Sequence, residues 1–261
     1  MRILLTNDDG FGSRGLVTLT EALEAAGHSV LVVAPDSQRS AFSHSISMDR
    51  PLKMKRIAED RWTCTGTPVD CVRMAILVHP KERPDLVMSG INKGYNASSD
   101  TIYSGTAAAA REGALQGLPA IAVSLEDPTY LDDTMDFSKA AAFAADNLQT
   151  FLPMISENCF LNINVPLNPR EGFKVGTLDR LDYSESPLEI TQEGDELSIR
   201  VLWGAVPMAH TNSGQSDLEL CRQGWISVTP VRAIPEPDPS WYVPWERRPR
   251  GRGCSAHRPP V

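Results

Sequence analysis

Two adjacent carboxylates near the start of the chain are the first residues whose types and spacing point to chemistry. Asp8 and Asp9 in NDDG lead into Gly10, Gly12 and Gly15, which have the G-x-G-x-x-G spacing of a loop that binds a dinucleotide pyrophosphate. Two unit charges about 4 Å apart cost about 1 kcal/mol in water and about 4 kcal/mol at a partly buried site, so the pair would repel a pyrophosphate. The pair predicts instead a hard divalent cation, Mg²⁺ or Mn²⁺. A second interpretation stays open, in which one aspartate caps the next helix and the glycines only make the turn.

Alternating strand and helix patterns surround this loop and position it. An apolar run at 2–6, leucines at helical spacing over 15–26 and a β-branched run at 29–34 predict one βαβ unit. The alternation continues with helices predicted at 67–77, 105–115 and 136–152 and strands at 86–89, 120–124 and 159–165. Strands this apolar are typical of an α/β fold with a mostly parallel sheet covered by helices on both faces.

Three further polar segments belong to the same edge of the predicted sheet. PDSQRSAFSHS follows the second strand, SGINKGYNASSD follows the third, and YSGT opens the alanine-rich helix. Ser40 and Asn92 offer neutral oxygens that could complete a metal site. The hydroxyls and backbone N–H groups of 104–106 suit a phosphate. Each serine alone is more typical of loop solvation or capping, and it is their convergence at one edge that favours a shared site.

Other classes of protein share parts of this pattern. Asp36 lies where a dinucleotide-binding protein has its ribose-binding acid, so a nucleotide- or dinucleotide-binding Rossmann-type protein is the alternative hypothesis. A haloacid-type phosphatase needs its acids in D-x-D spacing, which the adjacent Asp8 and Asp9 do not have. A receiver domain needs an aspartate after the third strand, where this chain has SGIN.

Composition and charge restrict the partners that the chain could have. The 261 residues suffice for one large α/β domain, and the five scattered cysteines contain no C-x-x-C pair for a disulfide framework or zinc site. The first residues do not resemble a signal peptide, and no segment approaches the roughly 18 apolar residues that span a bilayer, so we expect a cytoplasmic protein without a membrane partner. A formal net charge of -8 disfavours specific nucleic-acid binding, and a phosphate would need a local attraction.

Beyond residue 166 the sequence changes from long apolar runs to alternating polar and apolar residues. Alternating residues at 188–191, 197–203 and 225–229 predict antiparallel hairpins within about 173–232, at the end of a single domain spanning 1–232. Large apolar residues on these strands must be covered, because an isolated hairpin is only marginally stable. Residues 233–261 are rich in proline and arginine and are predicted to be a mobile tail.

Five motifs, in order, resemble the SurE family of survival-protein nucleotidases, which are metal-dependent phosphatases of nucleoside monophosphates. They are NDDG, PDSQRS, GTPVDCV, SGIN and IYSGT, between Met1 and about Leu125, with a weaker echo in NINVP and SDLELCRQGWISVTP. The resemblance implies a three-layer, Rossmann-like α/β core with protruding antiparallel hairpins that exchange between subunits. It also implies hydrolysis of nucleoside 5'- and 3'-monophosphates with one divalent ion, Mg²⁺ or Mn²⁺, per subunit. The alternative is a Rossmann-type nucleotide-binding protein without phosphatase activity.

The family's site residues carry over onto matching positions of this chain. The metal ligands fall on Asp8, Asp9, Ser40 and Asn92, and the two aspartates are also the expected catalytic residues. The phosphate contacts fall on Asn96, Ser104, Gly105 and Thr106. His44 stands where the family has histidine or asparagine and is a candidate to support the metal ligands, although a lone histidine is more often structural.

The chain also departs from the family's pattern. FGSRG lacks the usual proline before its last glycine, so Arg14 is either a surface residue or a neighbour of the phosphate. The family's threonine–aspartate pair reads Ser216–Asp217, and its tyrosine reads Trp225. A Pro/Arg tail replaces the usual C-terminal helix, so we expect a homodimer by hairpin exchange, with a tetramer as the open alternative.

Overall fold

The computed structural model describes residues 1–78, 82–128, 135–183, 188–201, 208–209 and 214–235. The strands are β1 (Arg2–Thr6), β2 (Ser29–Pro35), β3 (Met54–Ala58), β4 (Arg61–Cys64), β5 (Leu86–Lys93), β6 (Ala120–Leu125), β7 (Cys159–Val165), β8 (Phe173–Val175), β9 (Leu181–Asp182), β10 (Leu188–Glu193), β11 (Glu196–Val201), β12 (Met208–Ala209) and β13 (Ile226–Arg232). The helices are α1 (Arg14–Ala25), α2 (Pro68–Val78), α3 (Gly105–Leu115), α4 (Ser138–Asp146), α5 (Leu148–Phe151) and α6 (Asp217–Arg222). Short 3-10 turns cover Ser98–Ile102 and Leu152–Met154.

Nine strands form one sheet in the order β3-β4-β2-β1-β5-β6-β7-β13-β8. β1 pairs in parallel with β2 on one side and β5 on the other, and β4, β6 and β7 extend the parallel core. β3 and β13 run antiparallel to β4 and β7. The strand order reverses between β1 and β5, and open α/β sheets bind ligands at the carboxyl ends of the strands beside such a reversal. The loop that carries the two adjacent aspartates begins there.

Successive side chains of the strands pack into two separate cores. Ile3 and Leu5 lie in one core with the apolar faces of α1, α4 and α5, whereas Leu4 lies in the other core with α2 and α3. This arrangement follows from the two-residue period of a strand, which sends neighbouring side chains to opposite faces. The predicted three-layer α/β class is therefore confirmed.

The C-terminal part of the chain differs from its predicted arrangement. The segment at 225–229 was predicted to be a hairpin strand, but β13 joins the main sheet between β7 and β8. β13 is buried on both faces, because Val228 packs into one core and Val231 into the other. A strand buried on both faces belongs in the interior of the sheet, which explains the difference. β10 and β11 do form an antiparallel hairpin, with Ile190 opposite Ile199.

Several other elements were not predicted or were predicted differently. The edge strand β3, its neighbour β4 and the helix α6 were not predicted, and the helix predicted at 136–152 is divided into α4 and α5 at Asn147. Most of the predicted tail, 236–261, lies outside the described residues. In the described ranges no helix is long and apolar enough to cross a membrane.

Candidate active site

A tight turn after β1 presents the two adjacent aspartates. The side chain of Asn7 holds this turn, because its Nδ2 donates to the carbonyl of Gly10 at 3.0 Å and its Oδ1 accepts the Gly10 N–H at 3.2 Å. The same Nδ2 donates to the Ser13 hydroxyl at 2.6 Å, just before α1 begins. Gly10 has a φ of +100°, a conformation that glycine adopts without strain. The turn is thus fixed by its own side chains.

Asp8 is packed against the N-terminus of α3. The Thr106 hydroxyl donates to Asp8 Oδ1 at 2.5 Å, and the carboxylate is almost fully buried. A Cβ on Gly105 would lie 2.8 Å from the Asp8 Cβ and 2.9 Å from its Oδ2, so only glycine fits at this contact. Burial raises the pKa of Asp8, while the Thr106 hydrogen bond and the backbone at 105–106 act in the opposite direction. The start of α3 therefore positions this carboxylate.

Asp9 contacts the other neighbour of β1. Its Oδ2 accepts the backbone N–H of Lys93, at the end of β5, at 3.3 Å. Burial and the negative charge of Asp8 raise the pKa of Asp9 to about 7, although the N–H and the charge of Lys93 oppose this rise. Burial disfavours the ionised form of both carboxyl groups, and a divalent cation bound between them would stabilise those ionised forms.

Each of the two predicted neutral ligands is next in sequence to a residue that is hydrogen-bonded to this acidic turn. The backbone N–H of Arg39 donates to the Asp8 carbonyl at 2.7 Å, which brings the adjacent Ser40 to the turn. Asn92 is next to Lys93, and its Nδ2 donates to the Gly94 carbonyl at 2.8 Å, which fixes the orientation of its amide. Asp8 and Asp9 follow β1, Ser40 follows β2, and Asn92 lies near the end of β5, so all four predicted ligands belong to the carboxyl-terminal side of the parallel strands.

This donor set fits a hard cation. It consists of two carboxylates, a hydroxyl and an amide oxygen, all of them oxygen ligands, which suit Mg²⁺ or Mn²⁺ better than zinc. Within the described ranges, no cluster of three or more His, Cys, Asp or Glu side chains could hold a metal ion. A site at this edge would therefore depend on the neutral oxygens as well as the acidic pair.

The predicted phosphate contacts lie beside the same turn. The Ser104 hydroxyl accepts the N–H of Ala107 at 3.0 Å and so caps α3, which leaves the hydroxyl proton to donate elsewhere. The Thr106 hydroxyl is engaged with Asp8. Asn96 donates from Nδ2 to the Ser124 hydroxyl at 2.9 Å. Gly105 and Thr106 thus contact Asp8 directly, whereas Asn96 is bonded to β6 and β7. The contact of all these residues with a phosphate stays a prediction.

Two asparagines in β7 hold the loop that carries Asn96. Asn164 Oδ1 accepts the Asn96 N–H at 2.9 Å, and Asn162 Nδ2 donates to the Asn96 carbonyl at 2.7 Å. Both asparagines are fully buried. We did not assign them to the site from the sequence, although two amides within the apolar strand CFLNINV were a usable signal, since buried polar side chains need partners.

His44 does not pair with the predicted metal ligands but with Glu112 in α3. Its Nε2 lies 3.0 Å from Glu112 Oε2, and Arg73 contacts the other carboxylate oxygen at 3.2 Å. Burial raises the pKa of Glu112, but hydrogen bonds from His44 and Gln116 outweigh it and lower the pKa below 4.5. This contact docks the loop after β2 on α3, which corresponds to the structural role that a lone histidine more often has.

Asp217 is a further residue that sequence reasoning did not place in the site. Its buried carboxylate accepts the Ser98 N–H at 2.8 Å and the Ser98 hydroxyl at 2.5 Å. Ser216 caps α6 in a capping box with Glu219, a pattern that could have predicted this helix from the sequence. Asp217 thereby ties α6 to the loop that contains Asn96.

The fold and the site define a doubly wound α/β protein with an oxygen-rich ligand site at its switch point. A model of the family described as survival protein SurE matches residues 3–185. The crystal structure of the SurE protein from Aquifex aeolicus superposes with a TM-score of 0.76 at 31% identity, covering 90% of this chain and 95% of that one.

Curated relatives agree with this match over most of the chain. The 5'-nucleotidase SurE of Gemmatimonas aurantiaca is 39% identical over 236 residues, covering 88% of this chain and 92% of that protein. The 5'-nucleotidase SurE of Caldanaerobacter subterraneus subsp. tengcongensis is 36% identical over 236 residues, covering 88% and 90%. The chain belongs to the SurE family, and the resemblance drawn from its five motifs is confirmed.

Proposed function

We propose that this chain is a metal-dependent 5'-nucleotidase, a phosphomonoesterase that hydrolyses nucleoside 5'- and 3'-monophosphates to nucleoside and phosphate. The observation that carries the proposal is the pair Asp8 and Asp9, set between β1, β5 and the N-terminus of α3. Relatives that share 36% to 39% of their residues with this chain bear the name 5'-nucleotidase SurE, which supports the reaction class.

In this proposal Asp8, Asp9, Ser40 and Asn92 hold one divalent ion, Mg²⁺ or Mn²⁺. When bound, such an ion polarises the phosphoryl group and lowers the pKa of an attacking water. The protein contributes a rigid arrangement of ligands, because Asp8 is fixed by Thr106 and Asp9 by the backbone of Lys93. No covalent attachment of the phosphoryl group to the protein is needed.

The phosphate of the substrate binds at the start of α3. In this proposal Asn96, Ser104, Gly105 and Thr106 contact the phosphate. The start of α3 supports this, because a helix presents unpaired N–H groups and the positive end of its dipole there. The donors are aimed at the oxygens whose charge redistributes as the phosphate ester breaks, so they stabilise the transition state. Since the phosphate supplies most of the recognition, we expect a broad range of bases.

We also propose that the protein is a homodimer that exchanges its hairpins. In the β10–β11 hairpin, Ile190, Leu197 and Ile199 are each more than half exposed. A second copy would cover these side chains and the open hairpin edges in a closed two-fold contact. A cytoplasmic location stays a prediction.

The test is release of inorganic phosphate from nucleoside monophosphates with and without Mg²⁺ or Mn²⁺. Asp9→Asn should lower metal-dependent turnover at least about a hundredfold, because a catalytic ion contributes several kcal/mol. Asp146→Asn is the matched control, since Asp146 is exposed at the end of α4, at the opposite edge of the sheet. Full activity of Asp9→Asn, or of the wild type in excess EDTA, would contradict the proposal. Nucleotide binding without phosphate release would favour the alternative, a Rossmann-type binding protein.

A further inference from the structure

Two aromatic side chains on the surface stand beside the acidic turn. Of the described residues, the exposed aromatic ones are Tyr103, 61% exposed, and Phe42, 46% exposed, whereas the other described aromatic side chains are buried or half-buried. Ile46, Met48 and Ile102 on the same two segments are exposed too. A cluster of exposed apolar side chains next to a polar ligand site is typical of a binding surface.

The backbone under these rings is held in place. The Ser43 N–H donates to the Tyr103 carbonyl at 3.0 Å, and the Ser43 hydroxyl donates to the Ile102 carbonyl at 2.6 Å. The Tyr103 N–H donates to the Asp100 carbonyl at 3.0 Å. On the other segment, the Arg39 guanidinium lies 5.9 Å from the centre of the Phe42 ring. The two exposed rings are therefore mounted on fixed segments that are bonded to each other.

The position of Tyr103 in the chain brings its ring close to the proposed phosphate site. Tyr103 directly precedes Ser104, the N-cap of α3, and Gly105 packs against Asp8. Two residues span at most about 7 Å of extended chain, which is comparable to the reach of a ribose. A nucleotide whose phosphate lies at the start of α3 thus has its base within reach of this ring.

We infer that Tyr103, with Phe42 on the adjoining segment, forms the subsite on which the base of the bound nucleoside monophosphate stacks. The inference rests on the proposed function and adds to it the element that recognises the base. Stacking on an aromatic face tolerates every base, because each has a π-face, and it improves binding without reading hydrogen-bond patterns. Such a subsite predicts both a broad range of bases and a preference for nucleotides over simpler phosphate esters.

The experiment compares two ligands that differ only in the base, adenosine 5'-monophosphate and ribose 5-phosphate. Equilibrium binding is measured by calorimetry with Mg²⁺ in an Asp9→Asn background, so that little ligand is hydrolysed during the titration. KM is measured separately in chains that keep Asp9. We expect adenosine 5'-monophosphate to bind about tenfold more tightly than ribose 5-phosphate. Tyr103→Ala should abolish this difference, and Tyr103→Phe should keep it. Val78→Ala, which alters an exposed apolar residue at the opposite edge of the sheet, should also keep it.

Four results would overturn the inference. The first is that the chain with Tyr103 intact binds both ligands equally well. The second is that the preference for the nucleotide persists in Tyr103→Ala. The third is that Tyr103→Ala lowers the affinity for both ligands equally, which would place the effect at the phosphate. A changed mass of Tyr103→Ala in light scattering would assign the exposed rings to a subunit contact and would also reject the subsite. Failure of the proposed function has a different signature, because it abolishes phosphate release while the binding preference stays measurable.

Discussion

Replacing Gly105 with alanine is a sensitive test of how the start of α3 positions the acidic pair. The added Cβ would lie 2.8 Å from the Asp8 Cβ and 2.9 Å from Asp8 Oδ2. The shorter contact is about 0.6 Å below the lower limit of ordinary van der Waals contact, 3.4 Å, so the helix or the carboxylate must move by about that amount. Because Asp8 is also bonded to Thr106 and is buried, the displacement cannot be absorbed by a flexible side chain.

The size of the effect follows from this displacement. A misplacement of about 1 Å at a reacting centre can cost about a hundredfold in rate, so we expect Gly105→Ala to lower turnover about ten- to a hundredfold. Overpacking of this kind typically costs about 1–3 kcal/mol of stability, which leaves a folded protein to assay. Affinity for Mn²⁺ should fall as well, and it can be measured by titration independently of turnover.

Gly12→Ala is the matched control for this substitution. Gly12 is in the same loop region, but a Cβ there would meet no atom within 4 Å, and its φ is not in the left-handed region. It should therefore keep turnover and Mn²⁺ affinity within about twofold. If Gly105→Ala kept more than half of the wild-type turnover and the full Mn²⁺ affinity, the contact between α3 and Asp8 would not position the site, and the reasoning would be refuted.

Three further predictions concern the hydrogen bonds and the assembly. Thr106→Ala removes the hydroxyl that donates to Asp8, so it should weaken Mn²⁺ affinity and inhibition by inorganic phosphate about tenfold. Thr106→Ser, which keeps the hydroxyl, should restore both. An unchanged Mn²⁺ affinity and phosphate inhibition constant in Thr106→Ala would show that the hydroxyl is dispensable. Against the effect of burial, hydrogen bonds from His44 and Gln116 hold the pKa of Glu112 below its ordinary value, so the ionised group stabilises the fold above that ordinary value and loses this effect as the pH falls below it. The free energy of unfolding, followed from pH 6 down to about pH 3, should therefore fall less in Glu112→Gln than in the wild type, and parallel curves would contradict this. Light scattering at micromolar concentration should give a mass near two chains; a mass near one chain rejects hairpin exchange, and a mass near four chains indicates a second interface.

Local patterns in the sequence determined the strands β1, β2, β5, β6 and β7 of the parallel core, the helices α1 and α3, and the edge where the candidate site lies. The apolar runs of β1 and β7 and the helical spacing in α1 follow from neighbouring residues alone, and α3 has the predicted bounds, Gly105–Leu115. An acidic pair directly after a buried strand, with polar segments after the next two, indicated a shared site because parallel strands end at one edge. These inferences required no knowledge of which distant segments meet.

Contacts between distant segments were decided only by the tertiary structure. The bond from Thr106 to Asp8 joins residues 98 positions apart, and the pairing of His44 with Glu112 spans 68 positions. The hydrogen bond between Asn164 and Asn96 and the position of β13 in the main sheet also depend on segments that are far apart in the sequence. A polar side chain in the sequence shows that a partner is needed, but many partners satisfy it equally well. The packing of whole helices and strands selects one of them, because a buried hydrogen-bonding group left without a partner costs free energy throughout the fold.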